Sequence, residues 1–170
     1  KVFPARLLGE KPTGGKVEIL LLQPAGGPET MRPEGERPET FPRKWDCLIR
    51  ASRRPRIGLQ VLLPYGAVAE VAGIVDEGVW RVRFHTPALD FFSYVNRFGR
   101  TPLPPYIRRK MEGRGGSETK ADRERYQTVF ARSVGSVAAP TAGFHFSEEM
   151  CGALRERGVR FAELTLHVGQ

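Results

Sequence analysis

Between Val2 and Phe84 the chain is a succession of short apolar runs cut by glycine and proline, and this punctuation confines it to a small antiparallel barrel or sandwich. Val2 to Leu8 and Lys16 to Gln23 (KVEILLLQ) are joined by GEKPTGG, whose Pro12, Gly14 and Gly15 supply turn chemistry, so the pair reads as a β-hairpin. Strand signals resume at Trp45 to Ile49, Ile57 to Leu63 (IGLQVLL), Val68 to Val75 and Val79 to Phe84, set off by Gly58, Gly66, Gly73 and Gly78. Between the hairpin and the third run, Pro24 to Phe41 mixes proline, glycine and charge without an apolar period and is expected to be a mobile loop, at about 24–41.

The texture changes after Thr86 and Pro87. ALDFFSYVNRFG spaces Leu89, Phe92 and Phe98 over helical turns and ends in Gly99, a helix stop. TPLPPYIRR is a stiff proline segment, and KMEGRGGSETKA, at about 111–121, reads as mobile. A helix is predicted from Asp122, its cap, to Ala131. Ser147 is placed as the N-cap of another, with Glu148 and Glu149 complementing its dipole and Gly158 closing it. SVAA before that helix and VRFAELTLHVG after it read as strands, a βαβ unit with a parallel pair. The fold class is therefore α/β plus all-β: a β-barrel domain at 1–86 joined to part of an α/β domain at 87–170.

The formal net charge of +8 and a pI of about 10.0 favour a polyanionic partner, because neutralising phosphates releases condensed counterions. Arginine supplies most of the positive charge, and its planar fork suits phosphate. Genome composition or thermal adaptation is the competing source of such a bias. No apolar run approaches the roughly 20 residues of a membrane span, and no signal-peptide pattern opens the chain, so a cytoplasmic protein is expected. Cys47 and Cys151 lie far apart without a CxxC or a neighbouring His, which argues for two free thiols and against a metal site. The chain opens at Lys1 without an initiator Met and reads as a fragment.

The segment GSVAAPTAGFHFS, Gly135 to Ser147, carries no formal charge in a chain that is 27% charged. No GxGxxG after a strand, GxxxxGK[ST], HExxH or GxSxG occurs, so a nucleotide-like ligand would need a less familiar cradle. Pro140 to Phe146 is the best candidate: its small residues let a ligand approach the backbone, and the following helix start points N–H groups at an anion. Thr141 and Ser136 add hydroxyls, and His145 adds a group that exchanges a proton near neutral pH. Spacing alone leaves His145 between a hydrogen-bonded core histidine and a catalyst.

PLPPYI (Pro102 to Ile107), ERYQTVFA (Glu124 to Ala131), GSVAAPTAGFHFS and TLHVG (Thr165 to Gly169) stand in this order, after KVFPARL (Lys1 to Leu7), TGGKVEILLL (Thr13 to Leu22) and the Trp45 to Gly58 segment. In these the chain resembles the S-adenosylmethionine:tRNA ribosyltransferase-isomerase family of queuosine biosynthesis, over nearly its whole length. The resemblance implies a bacterial cytosolic enzyme acting on tRNA, a β-barrel inserted into an α/β domain, and S-adenosylmethionine as co-substrate with no metal; a monomer is expected. It implies transfer and isomerisation of the ribosyl group onto 7-aminomethyl-7-deazaguanine at the wobble position, giving epoxyqueuosine-tRNA with adenine and methionine released.

For that chemistry His145 is the candidate base and Thr141 a candidate donor. Flanking Phe144 and Phe146 are expected to limit water access to the imidazole. Ser136, Pro140, Gly143, Phe144, Tyr126, Gln127 and Tyr106 would contact substrate, with Tyr106 and Tyr126 placed to stack on a base. Arg108, Arg109, Arg123 and Arg125 would hold tRNA phosphates. PLPPYI as an interdomain strut and the arginines as a solvated face are the competing readings. Family members are longer than this chain, and Phe144 and Phe130 stand where Leu and Tyr are more usual. A long Pro/Gly insertion follows Gln23, and Gln170 is a further departure. A non-catalytic basic β-barrel that binds RNA is the alternative on charge and strands alone; a methyltransferase is disfavoured by the missing Gly-rich loop.

Overall fold

A computed structural model describes residues 1–27, 43–102, 125–132 and 134–164. Six antiparallel strands, β1 (Arg6–Lys11), β2 (Gly15–Pro24), β3 (Lys44–Ala51), β4 (Gln60–Leu62), β5 (Val68–Asp76) and β6 (Val79–His85), close into a barrel in the order β1-β2-β3-β6-β5-β4. The period of two decides which side chains enter. On β2, Val17, Ile19 and Leu21 are fully buried while Glu18 and Leu20 are half-buried between them. Register shifts at Leu21/Gln23, Val71/Gly73 and Ile74/Asp76 bend the strands enough to close the cylinder.

Closure itself rests on a glycine. β1 meets β4 through Glu10↔Leu62, and a Cβ on Gly9 would lie 2.5 Å from the Leu62 carbonyl oxygen, so no larger residue lets the two strands meet. A polar pair links β3 to β6 on the outer face of the wall. Asp46 is buried, and Arg81 opposite it donates from Nε to Oδ1 at 2.9 Å and from Nη2 to Oδ2 at 3.3 Å. That hydrogen bond and the Asp46 charge raise the Arg81 guanidinium above its ordinary value. Burial, with the same carboxylate, pushes the neighbouring Cys47 thiol well up, and both Cys47 and Cys151 are free and buried.

Helix α1 (Phe91–Phe98) plugs the barrel end reached by β6. Asp90 caps it, its Oδ1 accepting from the Ser93 N–H at 2.9 Å, and Gly99 ends it as expected. Burial pushes the Asp90 carboxyl up, but the hydrogen bonds from Ser93 and the local backbone outweigh it and hold the group below its ordinary value. The buried face is Phe91, Tyr94 and Val95. Phe91 stacks on Phe84 at 4.4 Å and meets Trp45 at 5.9 Å, and the Tyr94 hydroxyl donates to the Pro64 carbonyl at 2.9 Å. One hydrophobic cluster therefore runs from the barrel across Thr86 to α1 and Val137. A side chain at Gly99 would collide with the Pro4 carbonyl, and Arg100 bridges Arg6 next to it.

Three expectations need correction. IGLQVLL is a strand only over Gln60–Leu62, because Gly58 takes φ +85° and the Leu59 N–H closes a turn on the Arg56 carbonyl. The helix predicted from Asp122 to Ala131 does not pass Arg125 among the described residues; Tyr126 onwards is turn, with the Ala131 N–H on the Thr128 carbonyl. Among the described residues the first strand of the expected βαβ unit does not form either. Ser136 makes a single parallel bridge to Val2, and its hydroxyl then folds the chain on itself, donating to the Ala138 carbonyl at 2.6 Å, so SVAA leaves the extended path. Residues 159–164 are irregular, and TLHVG lies outside the described residues, as do most of the loop expected at 24–41 and the segment at 111–121.

Candidate functional site

The uncharged segment is tied to the chain start. The Phe3 N–H donates to the Ser136 carbonyl at 3.1 Å, and the Gly135 and Ser136 N–H groups donate to the Lys1 carbonyl. Gln127 completes the tie: its Oε1 accepts from the Val2 N–H at 2.9 Å and its Nε2 donates to the Val2 carbonyl at 2.8 Å. Phe3 is buried against Trp45, so this strap is anchored in the barrel core.

Beyond Val137 and Ala139, both buried, the chain makes a 3-10 turn over Thr141–His145, with the Gly143 N–H on the Pro140 carbonyl at 2.8 Å. Gly143 sits hard against Thr128, whose Cγ2 would be 2.8 Å from any added Cβ. The aromatic side chains pair with rings from the preceding turn: Tyr126 with Phe144 at 5.8 Å, Phe130 with Phe146 edge-on at 5.5 Å. Phe144 and Phe130, the two departures from the family pattern, thus each belong to one of these pairs. Ser147 then caps helix α2 (Glu148–Glu156), its Oγ accepting from the Met150 N–H at 3.1 Å, and Gly158 at φ +81° closes it, both as predicted.

The expected site residues therefore separate into groups. Thr141, His145 and Pro140 are exposed on the turn, Gly143 is half-buried, and Phe144 is partly exposed. Tyr126 is buried beneath them and presents no open face for a base. Gln127 and Ser136 spend their polar atoms on backbone and hold the turn in place. Arg125 is exposed beside Tyr126. Tyr106, Arg108, Arg109 and Arg123 lie outside the described residues. The shielding expected of Phe144 and Phe146 is absent, because both rings turn toward Tyr126 and Phe130 and leave His145 exposed. What the arrangement offers chemically is a proton-exchanging ring and a hydroxyl on a short turn fixed from both sides.

Two features have little or no signature in the sequence. Tyr65, in the turn Pro64–Gly66, is 72% exposed and holds φ +60°, a conformation uncommon for a bulky residue. Its ring lies 4.7 Å from that of Phe98, with the Arg97 guanidinium 5.5 Å above it. Only the Pro-Tyr-Gly turn hinted at it. The other feature is a pair of open clefts on the barrel, of about 710 and 450 Å³, neither of them lined by the His145 turn. Among the described residues no group of His, Cys, Asp and Glu could hold a metal ion, and no helix is long and apolar enough to cross a membrane.

Comparison with known proteins gives this geometry its family. The profile of the family described as Queuosine biosynthesis protein matches residues 1–170. The chain belongs to that family. Among curated members of the queuosine biosynthesis family, an S-adenosylmethionine:tRNA ribosyltransferase-isomerase from Trichlorobacter lovleyi is 43% identical over 99% of this chain and 43% of its own length. The proteins of the same name from Geobacter metallireducens and Geobacter sulfurreducens are each 47% identical over the same shares. This chain spans about 43% of the length of these relatives. A solved family structure, the S-adenosylmethionine tRNA ribosyltransferase of Thermotoga maritima, is 23% identical with a TM-score of 0.40, covering 100% of this chain and 39% of the other.

Proposed function

We propose that the protein carrying this chain transfers and isomerises the ribosyl group of S-adenosylmethionine onto 7-aminomethyl-7-deazaguanine at the tRNA wobble position, giving epoxyqueuosine-tRNA and releasing adenine and methionine. The observation that supports this reading is the match, along 99% of the chain, to relatives named S-adenosylmethionine:tRNA ribosyltransferase-isomerase. In this reading the protein is a cytoplasmic monomer, the barrel is set into an α/β domain, and S-adenosylmethionine is consumed as a co-substrate without a metal.

The exposed turn supports a division of labour. A sulfonium acidifies the C–H bonds beside it, so a modest base is enough to take a proton from the ribose carbon attached to sulfur, and His145 is the group free to do so. Thr141 is free to donate to an oxygen that gains charge as adenine leaves. Gly143 and Pro140 keep that face of the turn low, Phe144 offers an apolar edge, and Ser136, Gln127 and Tyr126 hold the turn rather than touch the ligand. Tyr106, Arg108, Arg109, Arg123 and Arg125 are assigned to the tRNA. In the full-length protein His145→Asn is expected to cut ribosyl transfer about a hundredfold or more while tRNA and S-adenosylmethionine affinities persist. Near-normal turnover would remove His145 as the base. A protein that takes up no S-adenosylmethionine in calorimetry would remove the reaction.

A further inference from the structure

The barrel end remote from the His145 turn carries cations with no assigned work. The registers set the β1–β2 turn, the end of β3 and the β5–β6 turn side by side, since Val17 faces Ala51 and Leu48 faces Val79. From Arg50 to Arg56 the sequence RASRRPR holds four arginines and no acid. Arg50, Arg53, Arg54 and Arg56 are exposed, and none joins an ion pair among the described residues. The wall arginines behave differently: Arg6 pairs with Glu18 at 3.1 Å, Arg81 with Asp46 at 2.9 Å, and Arg83 with Glu70 at 3.8 Å.

The loop that bears the bare arginines is held. Pro55 is buried, the Gly58 N–H donates to the Val71 carbonyl at 2.8 Å, and the Val71 N–H donates to the Leu59 carbonyl at 2.9 Å. Its guanidinium groups therefore start from a fixed backbone, which lowers the ordering cost of binding. Arg50 lines both clefts, with Lys16 in the larger and Arg54 in the smaller. The acids nearby are Glu10, Glu18 and Glu77, of which Glu18 is already taken by Arg6.

We infer that this end of the barrel is a second phosphate-binding surface for the RNA substrate, gripping backbone far from the nucleotide that reaches His145; the inference rests on the tRNA reading above. Arginine forks match phosphate oxygens in pairs. β3 spans Lys44–Ala51, and at about 3.3 Å per residue along tilted strands the surface lies roughly 20 Å from the end where the strap holds Ser136. A mononucleotide cannot bridge that distance; a folded tRNA, whose body continues beyond the anticodon arm, can. The cations stand on turns and not on an amphipathic helix, which favours RNA over a lipid surface.

The test compares a whole unmodified tRNA transcript with its isolated anticodon stem-loop as ligands of the full-length protein, each titrated over a range of salt. For Arg53→Ser/Arg54→Ser/Arg56→Ser, the slope of log K against log salt on whole tRNA should shrink by about 2 to 3, at 0.7–0.9 per lost phosphate contact. On the stem-loop the slope should match wild type. The corresponding triple Lys variant should keep the wild-type slope on both, which separates charge from any loss of fold. An unchanged slope on whole tRNA, or an equal loss on the stem-loop, overturns the second surface and leaves the tRNA reading standing. Wild-type protein that binds neither RNA overturns both. Loss of binding to phosphatidylserine vesicles with an unchanged tRNA slope assigns the cluster to lipid and overturns the RNA proposal.

Discussion

The barrel and the 125–164 region solve the same problem with very different means. In the barrel, closure brings Ile19, Leu21, Trp45, Val61 and Val82 to complete burial, and the helix that joins it buries Phe91, Tyr94 and Val95. In the later region α2 buries only Cys151, while Phe130, Phe144, Phe146, Met150 and Leu164 stay exposed. Shape in the first comes from packing. In the second a thin buried layer of Tyr126, Val137 and Ala139 is supplemented by a few hydrogen bonds to the chain start and two ring pairs. The difference teaches that the scaffold and the chemistry are stabilised separately, so substitutions in each should be distinguishable by where stability is lost.

The largest effect is expected in the barrel. Trp45 is fully buried and touches Phe3 at 5.8 Å and Phe91 at 5.9 Å, joining wall, strap and α1. Trp45→Ala should cost about 3–5 kcal/mol in urea unfolding, as truncation of a buried aromatic residue does. A loss below about 1 kcal/mol would mean that the three elements do not share a core.

Gln127→Ala should be smaller and local. It strips partners from the Val2 N–H and carbonyl, a loss of about 1–3 kcal/mol for groups left half-buried. Hydrogen exchange should accelerate at 134–146 and stay slow in β2 and β3. Uniform acceleration would show that strap and barrel open together, and the contrast between the regions would fail.

This contact also marks where reading the sequence stops. Gln127 and Val2 lie 125 positions apart, and nothing in either segment announces that a side-chain amide will mimic a strand partner. Patterns of short range were legible: alternation on β2, the Asp90 and Ser147 caps, the Gly99 and Gly158 stops. Patterns that depend on a partner were not. SVAA is extended in composition, yet Ser136 prefers its own turn, and IGLQVLL loses half its strand to Gly58. His145 was legible as a candidate; its exposure was not, because it follows from where Tyr126 and Phe130 place their rings.

Tyr94 tests the plug by pH. Burial pushes its hydroxyl up to about 12, above the value near 10 of an unfolded chain. The folded state thus holds the proton more tightly, and the stability this contributes is fully present below pH 10 and is lost as pH rises toward 12. Tyr94→Phe should cost about 1 kcal/mol near neutrality, for the hydrogen bond to Pro64, and should flatten that alkaline decline. An identical decline in the variant would place its origin elsewhere.

The smallest effects make the sharpest comparison, because the same chemistry sits on both sides. Asp90 caps α1 and Ser147 caps α2, each accepting a backbone N–H three residues on. Replacing either with Ala removes a cap worth about 1 kcal/mol. Since α1 is packed into the barrel core, Asp90→Ala should lower the global unfolding midpoint. The loss should also vanish in acid, because the Asp90 carboxyl is held below its unfolded value and its contribution disappears as pH falls through the folded one. Since α2 buries only Cys151, Ser147→Ala should leave the midpoint in place and show only as faster amide exchange at Met150 and Cys151. Equal shifts of the global midpoint in both variants would show that α2 unfolds with the barrel, and that the turn bearing His145 draws its rigidity from the core rather than from its own hydrogen bonds.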